Sequence, residues 1–142
     1  LLMGGRRQRR VGIRARFPEG EALICGDFGA IGDYSTTEPD DYVVVMTSGH
    51  TYDFTVQEQI LRRPAAYVGV IGSRAKTASE NARLRAAGVD EAAIASVHTP
   101  VGVAIKAVTP AEIAVSIAGE MIYERALRRE QAGIHVHGCP MH

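Results

Sequence analysis

Apolar residues along the chain gather into short runs separated by glycine, proline and polar turns. The run Tyr42-Val43-Val44-Val45-Met46-Thr47 is β-branched, continuous and uncharged. A run without alternation suits a strand covered on both faces, as in a parallel sheet. Ser48-Gly49-His50 breaks it, and Asp53 is placed to cap a helix reaching about Arg63. Val56 and Ile60 share one side of that helix, basic residues close it, and Pro64 stops it. The run Ala66-Tyr67-Val68-Gly69-Val70-Ile71 is a second clear strand. Gly72 ends it, Ser73 is placed to cap a helix through about Ala87, and Gly88 stops that helix. A short helix follows Asp90, and Ser96-Val97-His98 begins another extended piece, closed by Pro100 and Gly102. Thr109-Pro110-Ala111-Glu112 combines a capping box with proline at the first helical position. The helix it opens spans 110–129, and its middle is apolar nearly all round, which predicts a well-buried helix. Upstream, Glu21–Cys25 reads as a weaker strand, and 26–41, with Gly26, Gly29, Gly32 and Pro39, as a connecting loop with one helical turn. Strand–helix–strand–helix–strand–helix with short loops means α/β with a mostly parallel sheet and right-handed crossovers.

Length and composition narrow the class. A chain of 142 residues fits one domain with one core. At 46% hydrophobic and 23% charged residues it is neither a long disordered chain nor a collagen-like repeat. Basic and acidic groups balance at 16 each, so nucleic acid is not an expected partner. The balance hides an asymmetry. Residues 1–20 hold six arginines and one glutamate, which leaves the remainder at −5. Cys25 lies in an apolar run and reads as a small buried hydrophobe. Two thiols, Cys25 and Cys139, do not make a disulfide framework. No apolar run reaches about 18 residues, so no membrane span is expected. The N-terminus lacks the apolar stretch of a signal peptide, so a cytoplasmic location is the expectation.

Ligands of open parallel sheets bind at the carboxyl ends of the strands. Three loops share that edge: Thr47-Ser48-Gly49-His50, Gly72-Ser73-Arg74, and His98-Thr99-Pro100-Val101-Gly102. Each offers a glycine where backbone can approach a ligand, plus a polar or ionisable side chain. The second is the most informative. A helix N-terminus carries partial positive charge, yet this helix begins with Arg74 and Lys76. A bound anion, phosphate above all, would reverse that local penalty. The competing reading is that both cations extend into water. His50 and His98 have the chemistry of a general acid or base. Each could equally hydrogen-bond a neighbouring loop, and Pro100 beside His98 suggests a rigid turn. Gly-x-Ser-x-Gly, His-Glu-x-x-His, the phosphate-loop lysine motif and Gly-x-Gly-x-x-Gly are all absent.

The tail carries His135, His137, Cys139 and His142. Imidazole and thiolate so closely spaced are ligand types for zinc, nickel or copper. Structural metal sites usually draw on two separated segments, so a solvated tail is the alternative.

Linked motifs in this order resemble the C-terminal Rossmann-like domain of the xanthine dehydrogenase accessory family, the XdhC/CoxI group. They are residues 42–50 with Tyr52-Asp53, Pro64 through Arg74 with Lys76, Leu84-x-x-x-Gly88-Val89, Val97 through Gly102, and Thr109 through Ile117. The resemblance runs from about Arg16 to Arg125. It implies a non-catalytic maturation chaperone. Such a protein binds molybdenum cofactor (molybdopterin, with a phosphate or a dinucleotide diphosphate), protects its sulfurated form and delivers it to a molybdenum hydroxylase. A cysteine desulfurase is the other implied partner. The implied cofactor-binding residues are Gly49, His50, Gly72, Ser73, Arg74, Lys76, His98 and Gly102.

Residues 1–15 do not match the strand, Gly-rich turn and helix that open the family's domain. The expected organisation is a basic segment over 1–15, the Rossmann-like domain over 16–129 and the His/Cys tail over 130–142. The expected sheet is incomplete on its N-terminal side, so an exposed strand edge would favour a partner such as a second copy. The N-terminal arginines then mark a replaced or missing beginning. Two alternatives use the same residues differently: a Rossmann-type oxidoreductase holding an NAD-like nucleotide at the strand ends, and a metal carrier using the tail.

Overall fold

The computed structural model describes residues 26–33, 36–47 and 50–134. The expected strand at 21–25, with Cys25, and the expected segment 1–15 lie outside these. A 3-10 segment, Phe28–Asp33, leads into β1, Tyr42–Val45. Then follow α1 (His50–Ile60), β2 (Tyr67–Val70), α2 (Arg74–Ala86), α3 (Glu91–Ala95) and α4 (Pro110–Gln131).

β1 and β2 pair in parallel, Tyr42 opposite Tyr67 and Val45 opposite Val70. The extended piece expected at 96–98 is present as a parallel bridge between Gly69 and His98, on the other side of β2. His98 N–H donates to the Val68 carbonyl and Val70 N–H to the His98 carbonyl, both at 2.9 Å. β2 is therefore central among the described residues and is buried throughout, as a continuous apolar run demands. β1 departs from that expectation. Its first three residues are half-buried, and Met46 just beyond it is 59% exposed. In the described sheet β1 is an edge, so fewer layers reach it.

Side chains alternate across a strand. Val43, Val45, Val68 and Val70 enter the main core with Val56 and Ile60 of α1, Leu84 of α2 and Ile94 of α3. Ile31 of the 3-10 segment closes that core, and Gln59 fastens the segment by donating to the Phe28 carbonyl at 2.8 Å. Tyr42 and Tyr67 stand on the opposite face, their rings 5.6 Å apart. Gly69 leaves room there: a Cβ on it would come within 3 Å of the Tyr67 hydroxyl and the Val101 side chain.

α4 starts at the predicted capping box. The Thr109 hydroxyl accepts the Glu112 N–H, and Glu112 accepts the Thr109 N–H at 2.8 Å. Those N–H groups, Thr109 first and then Val108, hold the Glu112 carboxyl below its ordinary value. The expectation that α4 is well buried fails. Only Ser116 and Ile117 are buried, whereas Val115 is 66%, Ile122 57% and Tyr123 59% exposed. The reason is a polar stripe at four-residue spacing, which lies along one helix face. Ser116 donates to the Val103 carbonyl at 2.6 Å. Glu120 takes His98 and Gly102, and Arg128 reaches the Ala66 carbonyl at 3.0 Å. The helix thus docks through hydrogen bonds and leaves much of its apolar surface outward. Ile122→Ser should accordingly change the unfolding free energy by less than about 0.5 kcal/mol in a urea titration. A loss comparable to a core truncation would show that this face is covered.

Candidate functional site

The strand ends bring two of the three predicted loops together. β2 runs out at Ile71-Gly72-Ser73, and the backbone stays extended at Ser73 (φ −99°, ψ 153°) before α2 begins. Ser73 occupies the N-cap, but its hydroxyl caps no helix N–H. No acidic residue stands in the first turn of α2. The first turn of a helix has N–H groups without intrahelical partners. Lys76 lies in that turn, and its Nζ is buried with no hydrogen-bond partner among the described residues. A buried, unpaired ammonium is costly, and a bound anion would remove the cost. Thr77 ties the turn to the third loop, its hydroxyl 3.2 Å from that of Thr99. A Cβ on Gly72 would sit 3.5 Å from the Thr99 hydroxyl, so these two loops are in contact.

The first loop is described only in part. Gly49 lies outside the described residues, while the backbone places His50 at the start of α1. Asp53 does not cap that helix, which begins three residues earlier. It lies in the first turn, buried, where its carboxylate suits the helix dipole and accepts the Thr47 hydroxyl. Arg74 is the first residue of α2 by its backbone. The tail ligands His135, His137, Cys139 and His142 lie outside the described residues. Within those residues no group of three or more His, Cys, Asp or Glu could hold a metal ion. No helix there is long and apolar enough to cross a membrane.

His98 faces the opposite side of the sheet from the helix α2. Its Nδ1 lies 2.6 Å from Glu120 on α4, whose other oxygen accepts the Gly102 N–H. Gly102 adopts φ +103° and passes against the α4 backbone. Val103 completes the seam: its N–H donates to the Ser116 carbonyl at 3.2 Å, and its own carbonyl accepts the Ser116 hydroxyl. The Tyr67 ring lies 4.5 Å from the His98 ring, and its buried hydroxyl has no hydrogen-bond partner among the described residues. Burial first, then the charges of Glu120 and Glu124, push the Tyr67 phenol well above its ordinary value. Gly72, Ser73 and Lys76 therefore gather on the α2 side, and His98 and Gly102 on the α4 side. Sequence reasoning missed Thr77, Glu120 and Tyr67. The Ser116–Glu120 spacing inside an apolar helix is the signal that could have revealed Glu120.

Comparisons with known proteins agree with this architecture. The family described as XdhC Rossmann domain matches residues 5–121, beginning upstream of the described residues. The chain is 35% identical over 107 residues to the uncharacterized protein YqeB of Escherichia coli (strain K12). That stretch covers 75% of this chain and 19% of YqeB. The fold is similar to the crystal structure of a xanthine dehydrogenase from Bacillus halodurans, with TM-score 0.64 and 28% identity. The likeness covers 81% of this chain and 32% of that one. The chain thus spans about a fifth of one relative and a third of the other. Its motifs, its parallel βα architecture and the family match agree: the chain belongs to the XdhC Rossmann domain family.

Proposed function

We propose that this domain is the cofactor-holding part of an accessory factor for a molybdenum hydroxylase such as xanthine dehydrogenase. It binds molybdenum cofactor by its phosphate, with the hydroxylase subunit and a cysteine desulfurase as partners in sulfuration and insertion. Family membership and the likeness to a protein named a xanthine dehydrogenase support the setting. The observation that carries the site is the Lys76 Nζ in the first turn of α2, buried and unpaired among the described residues. That turn offers backbone N–H donors, the uncommitted Ser73 hydroxyl and no competing acid. This donor set suits a phosphate oxygen. When bound, the cofactor supplies the molybdenum centre. The chain's own residues bind and orient it: Lys76 and the Gly72–Ser73 backbone at the anion, the Thr77–Thr99 pair fixing the two loops that flank it.

The test is pterin fluorescence after oxidation of the full chain purified from a molybdenum-replete host. The wild type should carry pterin, and Lys76→Gln should retain about tenfold less. A charge-assisted hydrogen bond contributes about 1.5–3 kcal/mol, and 1.4 kcal/mol is a factor of ten. Equal retention by both proteins would remove Lys76 from the site. A wild type without pterin would overturn the reading.

A further inference from the structure

Glu120 is an ionisable side chain on the docking face of α4, and its placement needs a reason. Its side chain is 13% exposed, and both its oxygens are engaged. One accepts the Gly102 backbone N–H, which cannot do anything but donate. The other lies 2.6 Å from His98 Nδ1. Facing a carboxylate, which only accepts, the neutral imidazole carries its proton on Nδ1. His98 is then left with its lone pair on Nε2. The His98 side chain is 29% exposed, and no hydrogen bond engages Nε2 among the described residues. Tyr67 packs on one side of the ring and restrains its rotation. His98 and Thr99, adjacent in sequence, have partners on opposite sides of the sheet. Thr99 bonds Thr77 in the first turns of α2, beside Gly72 and Ser73, so the chain passes from the α4 side at His98 to the strand-end site at Thr99.

We propose that Glu120 is a positioning residue that locks His98 in its Nδ1–H form. Nε2 is thereby left as a hydrogen-bond acceptor for an O–H or N–H group of a bound ligand. The ligand part of this inference rests on the function proposed above, whereas the tautomer part stands by itself. Free imidazole side chains favour the Nε2–H form, so the lock has a spectroscopic signature. Long-range nitrogen–proton correlation spectra of the full chain should show His98 with Nδ1 protonated and Nε2 bare. In Glu120→Gln one amide oxygen replaces two carboxylate oxygens, and the Gly102 N–H competes for it. That spectrum should shift toward the Nε2–H form.

Pterin capture supplies the second measurement. Glu120→Gln and His98→Phe should lower retained pterin by the same factor, and the double variant should fall no further, because one residue acts through the other. A wild-type spectrum showing Nε2–H, or one unchanged in Glu120→Gln, overturns the lock without any folding ambiguity. Additive losses in the double variant overturn the positioning role. A wild type that captures no pterin counts against the proposed cofactor and against an Nε2 contact with it, while the spectra still decide the lock.

Discussion

Leu84→Ala is expected to lower the unfolding free energy by about 3 kcal/mol, within the range for buried leucine truncations. Leu84 is fully buried and sits in the cluster where β2 meets α1, α2 and α3. Removing its side chain loses the transfer free energy of the hydrocarbon and leaves a void that the surrounding side chains fill only in part. Domains of this size hold roughly 5–15 kcal/mol in total, so the loss is a large share. Urea titration followed by far-ultraviolet circular dichroism should show an earlier midpoint with an unchanged slope. A midpoint like that of the wild type would mean that this core is not where the fold's stability lies.

Gly102→Ala should be the next most damaging change, for a backbone reason. At φ +103° an L side chain is strained, at a cost of about 1–3 kcal/mol. The added Cβ would also collide with the Ser116 hydroxyl and approach the Ile117 backbone nitrogen to 3.3 Å. That nitrogen belongs to α4 itself, so the loop rather than the helix has to move. Moving the loop withdraws the Gly102 N–H from Glu120. The variant should therefore melt earlier and also disturb the His98 nitrogen signals. An unchanged melt would show that the turn relaxes freely and that α4 is not clamped there.

The architecture was largely legible in the sequence because its signals are local. Continuous β-branched runs located β1 and β2, and Thr109-Pro110-Ala111-Glu112 marked the first turn of α4. The unusual cations Arg74 and Lys76 pointed to the first turn of α2. What the sequence hid was pairwise. Asp53 looked like a cap, but Thr47 lies close enough to engage it and the helix starts earlier. α4 looked like a core helix because apolar residues outnumber the polar ones. Its docking face is set by Ser116, Glu120 and Arg128, whose partners lie 13, 18–22 and 62 residues away. Their four-residue spacing marks the face, but nothing local marks the distant partner of each side chain. Lys76 stands out in the sequence by its charge, but only the folded chain shows its Nζ buried and, among the described residues, unpaired.

The unequal docking of the helices has a thermal consequence. On one face of the sheet, α1 to α3 bury hydrocarbon. That attraction weakens on cooling, because hydrating apolar surface carries a large positive heat capacity. On the other face, α4 is held largely through a hydroxyl, a carboxylate and a guanidinium meeting backbone groups. Lifting it exposes polar surface, whose heat-capacity contribution has the opposite sign. The two faces thus contribute to the heat capacity of unfolding with opposite signs. The hydrocarbon face therefore supplies most of the curvature in the domain's stability with temperature, and the seam that carries His98 and Gly102 little of it.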